Sequence, residues 1–291
     1  MVPAPQVIAP TWRNTPSPFT RIGRTSVKLA FIGENHLEGV KADCELAVGL
    51  GFVGLEFNYW GNFADLTEET VVKKREILED HGIQCAALGL WGWNHLSPDA
   101  AERERAHEML NRAIDFAEIL EADTLITGGG SIPDAAIEEN AAEFVRVFPP
   151  FLERIEESLM TPAFYAVHGA SFFTSIEAFE RVWEHLPEVT IKMDPANWQH
   201  HGDEYLPIFR DHGDKIGYMH LKEHVYLDGE LASQPAIGMG DIEWGKVMAF
   251  LHEHGYDGYL SVEPHGPIWS RSPMRQKMLK LTKRYIEQFL V

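Results

Sequence analysis

The sequence predicts an α/β protein built as a closed barrel of eight parallel strands. Three observations carry that expectation. Short apolar runs alternate with longer amphipathic ones from residue 26 onward. The short runs are apolar on both sides and rich in Val, Ile and Leu, as in strands covered on both faces. Eight strand–helix repeats also fall within about 265 residues, which favours closure over an open doubly wound sheet.

The elements follow in order. Residues 1–26 hold Pro3, Pro5, Pro10, Pro16 and Pro18, a density that forbids regular ladders and helices, so an extended proline-rich arm is expected there and the barrel over 27–291. A strand is expected over 26–32 and a helix over 41–49, then a strand over 53–57 and a helix over 68–81 opened by Thr67 as N-cap. A strand over 83–88 leads to a long helix over 98–120, with Ser97 as N-cap and Pro98 in its first turn. The next strand spans 124–127 and precedes a helical segment over 134–159, interrupted near Pro149 and Pro150. Strands over 163–167, 189–193, 216–221 and 258–262 alternate with helices over 176–185, 204–211 and 242–253, and a helix over 273–290 closes the chain. The pattern is that of a (β/α)8, or TIM, barrel.

Charge and composition narrow the function. A formal charge of −19 argues against binding a nucleic-acid backbone or an anionic membrane surface. No apolar run approaches the ~20 residues that a membrane-spanning helix needs. No secretory signal is expected at the N-terminus. Cys44 and Cys85 fall in a helix and a strand and are expected as small buried apolar residues rather than a disulfide or a metal pair, which fits a reducing cytoplasm. Gly128, Gly129 and Gly130 follow a strand but do not form a dinucleotide fingerprint.

The chemistry sits where the strands end, the face on which a barrel of this kind builds its site. Asp194, His220 and Glu263 each follow an apolar run. Two carboxylates and an imidazole aimed at one point suit a divalent metal: Mn²⁺ first, with Mg²⁺, Co²⁺, Fe²⁺ and Zn²⁺ as alternatives. Lys222 follows His220 by two residues, so the strand period turns it to the same side, to hold a substrate oxygen or to pair with Glu223. Glu56, Trp91, His95, Asn197 and Trp198 also lie at or just past strand ends and are expected to contact substrate. Aromatic rims at such positions bind the apolar faces of sugar rings, or simply pack.

The last hundred residues resemble the xylose-isomerase-like barrels, the sugar isomerase/epimerase superfamily. The resemblance rests on the run His220-Leu221-Lys222-Glu223, on Gly238-Met239-Gly240-Asp241-Ile242-Glu243-Trp244, and on Gly255-Tyr256-Asp257-Gly258 followed by a strand and Glu263. Asp194-Pro195-Ala196-Asn197 resembles the Asp motif of the sixth strand. The resemblance implies one divalent metal held by Glu, Asp, His and Glu. Asp194, His220 and Glu263 match three of these ligands, whereas the Glu expected at the end of the fifth strand is replaced by Ala166 in Ala166-Val167-His168. By the period of two, His168 is expected on the side of residue 166, as a fourth ligand or as a base. A natural change of chemistry, an alanine introduced to inactivate the enzyme and a metal-free protein all accommodate that difference.

The function expected first is a metal-dependent isomerase or epimerase of a sugar or keto-sugar, abstracting a proton next to a carbonyl with His168, Glu263 and Lys222 as catalytic groups. A lyase acting on a keto-sugar, cyclitol or 3-oxo-glycoside is the second reading, because an elimination needs one base rather than two opposed ones. A barrel that binds a sugar or a partner without turnover is the third. A small-molecule sugar or glycoside is the expected partner, and the arm offers a means of forming a homo-oligomer.

Overall fold

The computed structural model describes residues 27–290. The expected arm over 1–26 therefore lies outside the described residues. In chain order the elements are β1 (Lys28–Ile32), α1 (Leu37–Leu50), β2 (Gly54–Tyr59), α2 (Glu68–His81), β3 (Gln84–Leu90), α3 (Ala100–Ile119), β4 (Thr124–Thr127), α4 (Ile137–Val147) and α5 (Pro149–Glu157). They continue with β5 (Thr161–Tyr165), α6 (Ile176–Trp183), β6 (Thr190–Met193), α7 (Pro195–His201), α8 (Leu206–His212), β7 (Ile216–Leu221), β8 (Val225–Leu227), β9 (Glu230–Ser233), α9 (Trp244–Glu253), β10 (Tyr259–Val262) and α10 (Met274–Ile286). Eight of the strands close a parallel barrel in the order β1-β10-β7-β6-β5-β4-β3-β2, as the alternating pattern predicts.

Two apolar layers hold it. The larger lies between the strands and the helices and includes Phe31, Phe57, Phe144, Phe164, Met219 and Leu260, all fully buried. The smaller fills the barrel interior and is built from Ala30, Ala86, Ala87, Ile126 and Ala163 with Trp91, Tyr165, Tyr218 and Tyr259. Small residues on some strands leave room for aromatic rings from others, which is how a barrel interior fills.

Several boundaries depart from the sequence expectation, each for a local reason. The long helix starts at Ala100, capped by Asp99, whose Oδ1 accepts from Glu102 N at 2.9 Å. Ser97 sits upstream and accepts from Asp99 N instead, so the cap belongs two residues later than expected. The segment expected over 134–159 divides into α4 and α5 at Phe148, with Pro149 opening the second helix. The short helix α7 escapes the pattern because it directly follows β6, with Asp194 as its N-cap. The β8–β9 hairpin also escapes it, being too short and too exposed to show a strong alternation.

A charged clasp closes the barrel seam. Asp43 on α1 accepts from Arg275 Nη1 at 2.6 Å and Nη2 at 3.0 Å, and from Glu34 N at 2.8 Å. Arg275 also donates to Ile32 O at 2.9 Å, so one guanidinium joins α1, α10 and the end of β1. Removing it leaves a buried carboxylate without its cation. Arg275→Ala is expected to lower the unfolding free energy by about 3 kcal/mol in a denaturant titration.

His95, expected at the site, is fully buried behind the wall at β4, where its ring packs on His107 and Phe148 and its Nε2 meets Thr127 Oγ1 at 3.1 Å. Its ring is closed off from solvent. Burial, with His107 nearby, pulls its pKa down to about 3. The folded protein thus keeps this imidazole neutral where an unfolded chain protonates it. Its contribution is fully present above about pH 6.5 and declines as pH falls toward 3, by about 1.4 kcal/mol per unit. A His95→Asn variant, followed by denaturation at a series of pH values, should show a shallower loss over that window than the parent.

Candidate active site

The strands aim a buried charge cluster at the C-terminal end of the barrel. β6 places Lys192 inside, and Asp194 follows at the first turn of α7. β7 supplies His220 and, just beyond its end, Lys222. Glu263 directly follows β10, and Glu56 enters from β2. Asp194, His220 and Glu263 each offer a ligand atom, and these atoms lie within 4.8 Å of one another. The structure thus brings together the three residues that the strand ends singled out.

His220 organises the cluster. Its Nε2 lies 2.8 and 3.0 Å from the Glu56 oxygens, and its Nδ1 lies 2.8 Å from Glu263 Oε2 and 3.9 Å from Asp194 Oδ2. Glu56 is fully buried and also accepts from Asn58 Nδ2, Tyr218 OH and Ser261 Oγ. It therefore lies beneath the cluster, orienting His220, with its oxygens taken up by protein groups rather than turned to the opening. Lys222 Nζ stands 3.2 Å from Asp194 Oδ2 and 3.5 Å from Glu263 Oε1. It does not pair with Glu223, which faces the other way and accepts from Gly238 N, Ile242 N and Trp244 Nε1.

The electrostatics follow from these contacts. Burial disfavours every charge here, but the opposite charges outweigh it. Lys222 holds the Glu263 carboxyl well below its usual range, helped by His220 and Lys192. Lys222 and Lys192 lower Asp194 in the same way. Glu56 raises His220 despite the burial of the ring. His168, exposed at the rim, is the exception: partial desolvation by its neighbours, then Lys192 and Lys222, lower its pKa.

The residues present fit a divalent metal. Asp194 Oδ2 is buried and accepts no hydrogen bond of good geometry, although two ammonium groups stand near it. Glu56 occupies His220 Nε2, which leaves Nδ1 facing the two carboxylates. Two hard oxygens and one imidazole nitrogen suit Mn²⁺, Zn²⁺ and their neighbours.

The fifth strand differs from the sequence expectation. β5 ends at Tyr165, and Val167 adopts a left-handed φ of 52°, so the period of two does not carry from residue 166 to His168. The side chain that β5 turns into the barrel is Tyr165, while Ala166 packs in the outer apolar layer. His168 lies outside the close ligand group, with its Nε2 2.9 Å from Asn197 Nδ2. Asn197 thereby holds the imidazole at the rim.

Two walls flank the cluster. On the β2–β3 side, Trp60 stacks on Trp91 with centroids 5.9 Å apart, Trp91 stacks on Tyr165 at 4.4 Å, and His168 meets Trp91 edge-on at 5.3 Å. On the β6–β7 side, His200 Nδ1 lies 2.7 Å from Tyr226 OH, and His224 Nε2 lies 3.2 Å from Gln234 Nε2. Strand order sets β2 and β3 across the barrel from β6 and β7, while Tyr165 on β5 and His168 beyond it carry the aromatic wall round to β6. Trp198 is 2% exposed and packs in the outer core, away from the opening. The sequence reading missed Lys192, though its position two residues before Asp194 was a signal of shared orientation. It also missed Tyr165, His200 and Tyr226, whose places depend on where β5 ends and on the hairpin.

Similarity to known proteins agrees with this architecture. A family model described as "Xylose isomerase-like TIM barrel" matches residues 44–285. The D-allulose 3-epimerase of Methylomonas sp., solved with D-allulose, superposes with a TM-score of 0.71 at 16% identity, over 90% of this chain and 97% of that one. The IolI protein with a bound zinc atom gives a TM-score of 0.71 at 17% identity over 90% and 98%. A probable 3-DHS dehydratase of Bacillus anthracis gives 0.67 at 15% over 90% and 99%. No curated protein is similar enough in sequence to be matched. The chain belongs to the xylose isomerase-like TIM barrels, whose structural neighbours include epimerases and a dehydratase.

Proposed function

We propose that this chain is a divalent-metal-dependent isomerase or epimerase acting on a sugar or keto-sugar by proton abstraction next to a carbonyl. The observation that carries the reading is the convergence of Asp194, His220 and Glu263, with Asp194 Oδ2 buried and lacking a well-formed hydrogen bond. These three residues would hold the metal, Mn²⁺ first. When bound, such a metal polarises a carbonyl and stabilises an enolate. His168 serves as base rather than fourth ligand, since it stands at the rim with Asn197 fixing its ring. A lowered pKa keeps the imidazole neutral at pH 7, and its Nε2 lone pair, which accepts from Asn197 Nδ2, would be the one exchanged for a substrate proton. Lys222, held charged by Asp194 and Glu263, is placed to donate to a substrate oxygen. The aromatic wall suits the apolar face of a sugar ring, and the imidazole wall suits its hydroxyls.

A lyase of the dehydratase or deglycosidase type is the second reading, favoured by one observation. β5 turns Tyr165 inward rather than a carboxylate, so the site lacks a second acid opposite Glu263. An elimination needs only one base. A small-molecule sugar or glycoside is the proposed partner; the charge of −19 disfavours nucleic acid and anionic membranes. No described helix is long and apolar enough to cross a membrane. Two buried free cysteines support placing the chain in the cytoplasm. The same proposal extends to a homo-oligomer.

Incubation with Mn²⁺ and a panel of keto-sugars, keto-cyclitols and 3-oxo-glycosides in D₂O should replace the substrate α-hydrogen, read by proton NMR. Epimer formation then marks the first reading and an unsaturated or cleaved product the second. His168→Ala and Glu263→Gln should each lower the exchange rate by roughly 10²-fold or more. If His168→Ala exchanges at the parent rate, the base assignment is wrong. Asp194→Asn should lower metal content by elemental analysis, and Glu56→Gln should weaken metal binding by about 10–100-fold through His220. A protein that contains no metal, gains no thermal stability from Mn²⁺ and yet binds a sugar would be a non-catalytic barrel.

A further inference from the structure

Lys192 takes no part in the proposed reaction, yet it is among the most completely buried cations described. Its side chain is 1% exposed. β6 turns it inward, two residues before Asp194, so both face the barrel interior. Its Nζ lies 3.6 Å from Asp194 Oδ2 and 5.4 Å from the ring centroid of Trp91. Among the described residues Asp194 is its only carboxylate within 4 Å. Lys222, by contrast, divides its charge between Asp194 and Glu263.

The consequence lies at a single oxygen. Asp194 Oδ2 is a ligand atom of the candidate metal centre, and two ammonium groups already stand 3.2 and 3.6 Å from it. A buried ammonium is costly unless paired, so Lys192 cannot release Asp194 without losing its partner. A dication approaching Asp194 therefore meets a carboxylate that is already neutralised, and meets Lys192 as a like charge a few ångströms away. The inward position of β5 supplies the Tyr165 ring and no compensating acid.

We propose that Lys192 is a resident counter-cation of Asp194 that competes with a divalent metal and sets the metal affinity of this site low. The inference rests on the metal reading above. Occupancy then follows the free metal concentration, and the site remains charge-paired when the metal leaves.

Calorimetric titration of metal-stripped protein with Mn²⁺ tests it, comparing the parent with Lys192→Met and Lys192→Gln. Both substitutions remove the charge and keep much of the side-chain volume. Near-ultraviolet circular dichroism establishes that each is folded, and if Met is not tolerated the Gln variant decides. The expected result is Mn²⁺ binding at least ~10-fold tighter in the variants, equivalent to about 1.4 kcal/mol. Variants that bind while the parent does not would support the proposal equally. A parent that binds Mn²⁺ with folded variants that bind no tighter overturns the role of Lys192 and leaves the metal reading standing. No binding by the parent or by either folded variant overturns both.

Discussion

The contact on which the site depends is the bridging of Glu56 and Glu263 by the His220 ring. Both imidazole nitrogens lie 2.8 Å from a carboxylate oxygen. A carboxylate sealed inside a barrel is tolerable only when its charge is matched and its lone pairs are filled. Glu56 meets that condition with His220, Tyr218, Ser261 and Asn58, drawn from β7, β10 and β2 itself. The ring is thereby fixed in one orientation, and Asp194, Glu263 and Lys222 are arranged around its other side. Strand register is coupled to the same contact, because a shift of β7 by one residue would turn His220 out of the barrel.

The loop after β7 supports this arrangement from the opposite face of the strand. Glu223 alternates away from the cluster and gathers Gly238 N, Ile242 N and Trp244 Nε1, tying the β8–β9 region to the start of α9. Gly240 is needed there, since a Cβ would come within 2.2 Å of His224 O. One strand end therefore serves two purposes: His220 and Lys222 face the charge cluster, while Glu223 anchors the loop beside it.

Two features set the electrostatics of the cluster: an aromatic residue points inward from β5, and a second ammonium stands beside Asp194. Tyr165 completes the stack with Trp91 and Trp60 that forms one wall. Lys192 sits between that wall and the acid cluster, near the Trp91 ring on one side and Asp194 on the other. Aromatic packing and charge balance are thus joined through one side chain.

The sequence by itself determined the architecture and the grouping of three potential ligands. Alternating apolar runs specify eight buried strands, and residues placed directly after such runs must emerge at one end of a parallel barrel; this made Asp194, His220 and Glu263 legible as a group. The tertiary structure decided everything that depends on distance across the barrel or on where an element stops. Glu56 and His95 look like site residues in a linear reading, but burial and partners from distant strands place one beneath the cluster and the other behind the wall. The left-handed turn at Val167 ends the two-residue period, so β5 presents Tyr165 and sets His168 apart from the Asp194, His220 and Glu263 cluster. The pairing of Lys192 with Asp194 was implicit in their spacing, but the crowding of two ammonium groups on one oxygen appears only when β6 and β7 lie side by side. Periodicity encodes direction along one strand, whereas charge balance is a sum over many, and only the folded barrel performs that sum.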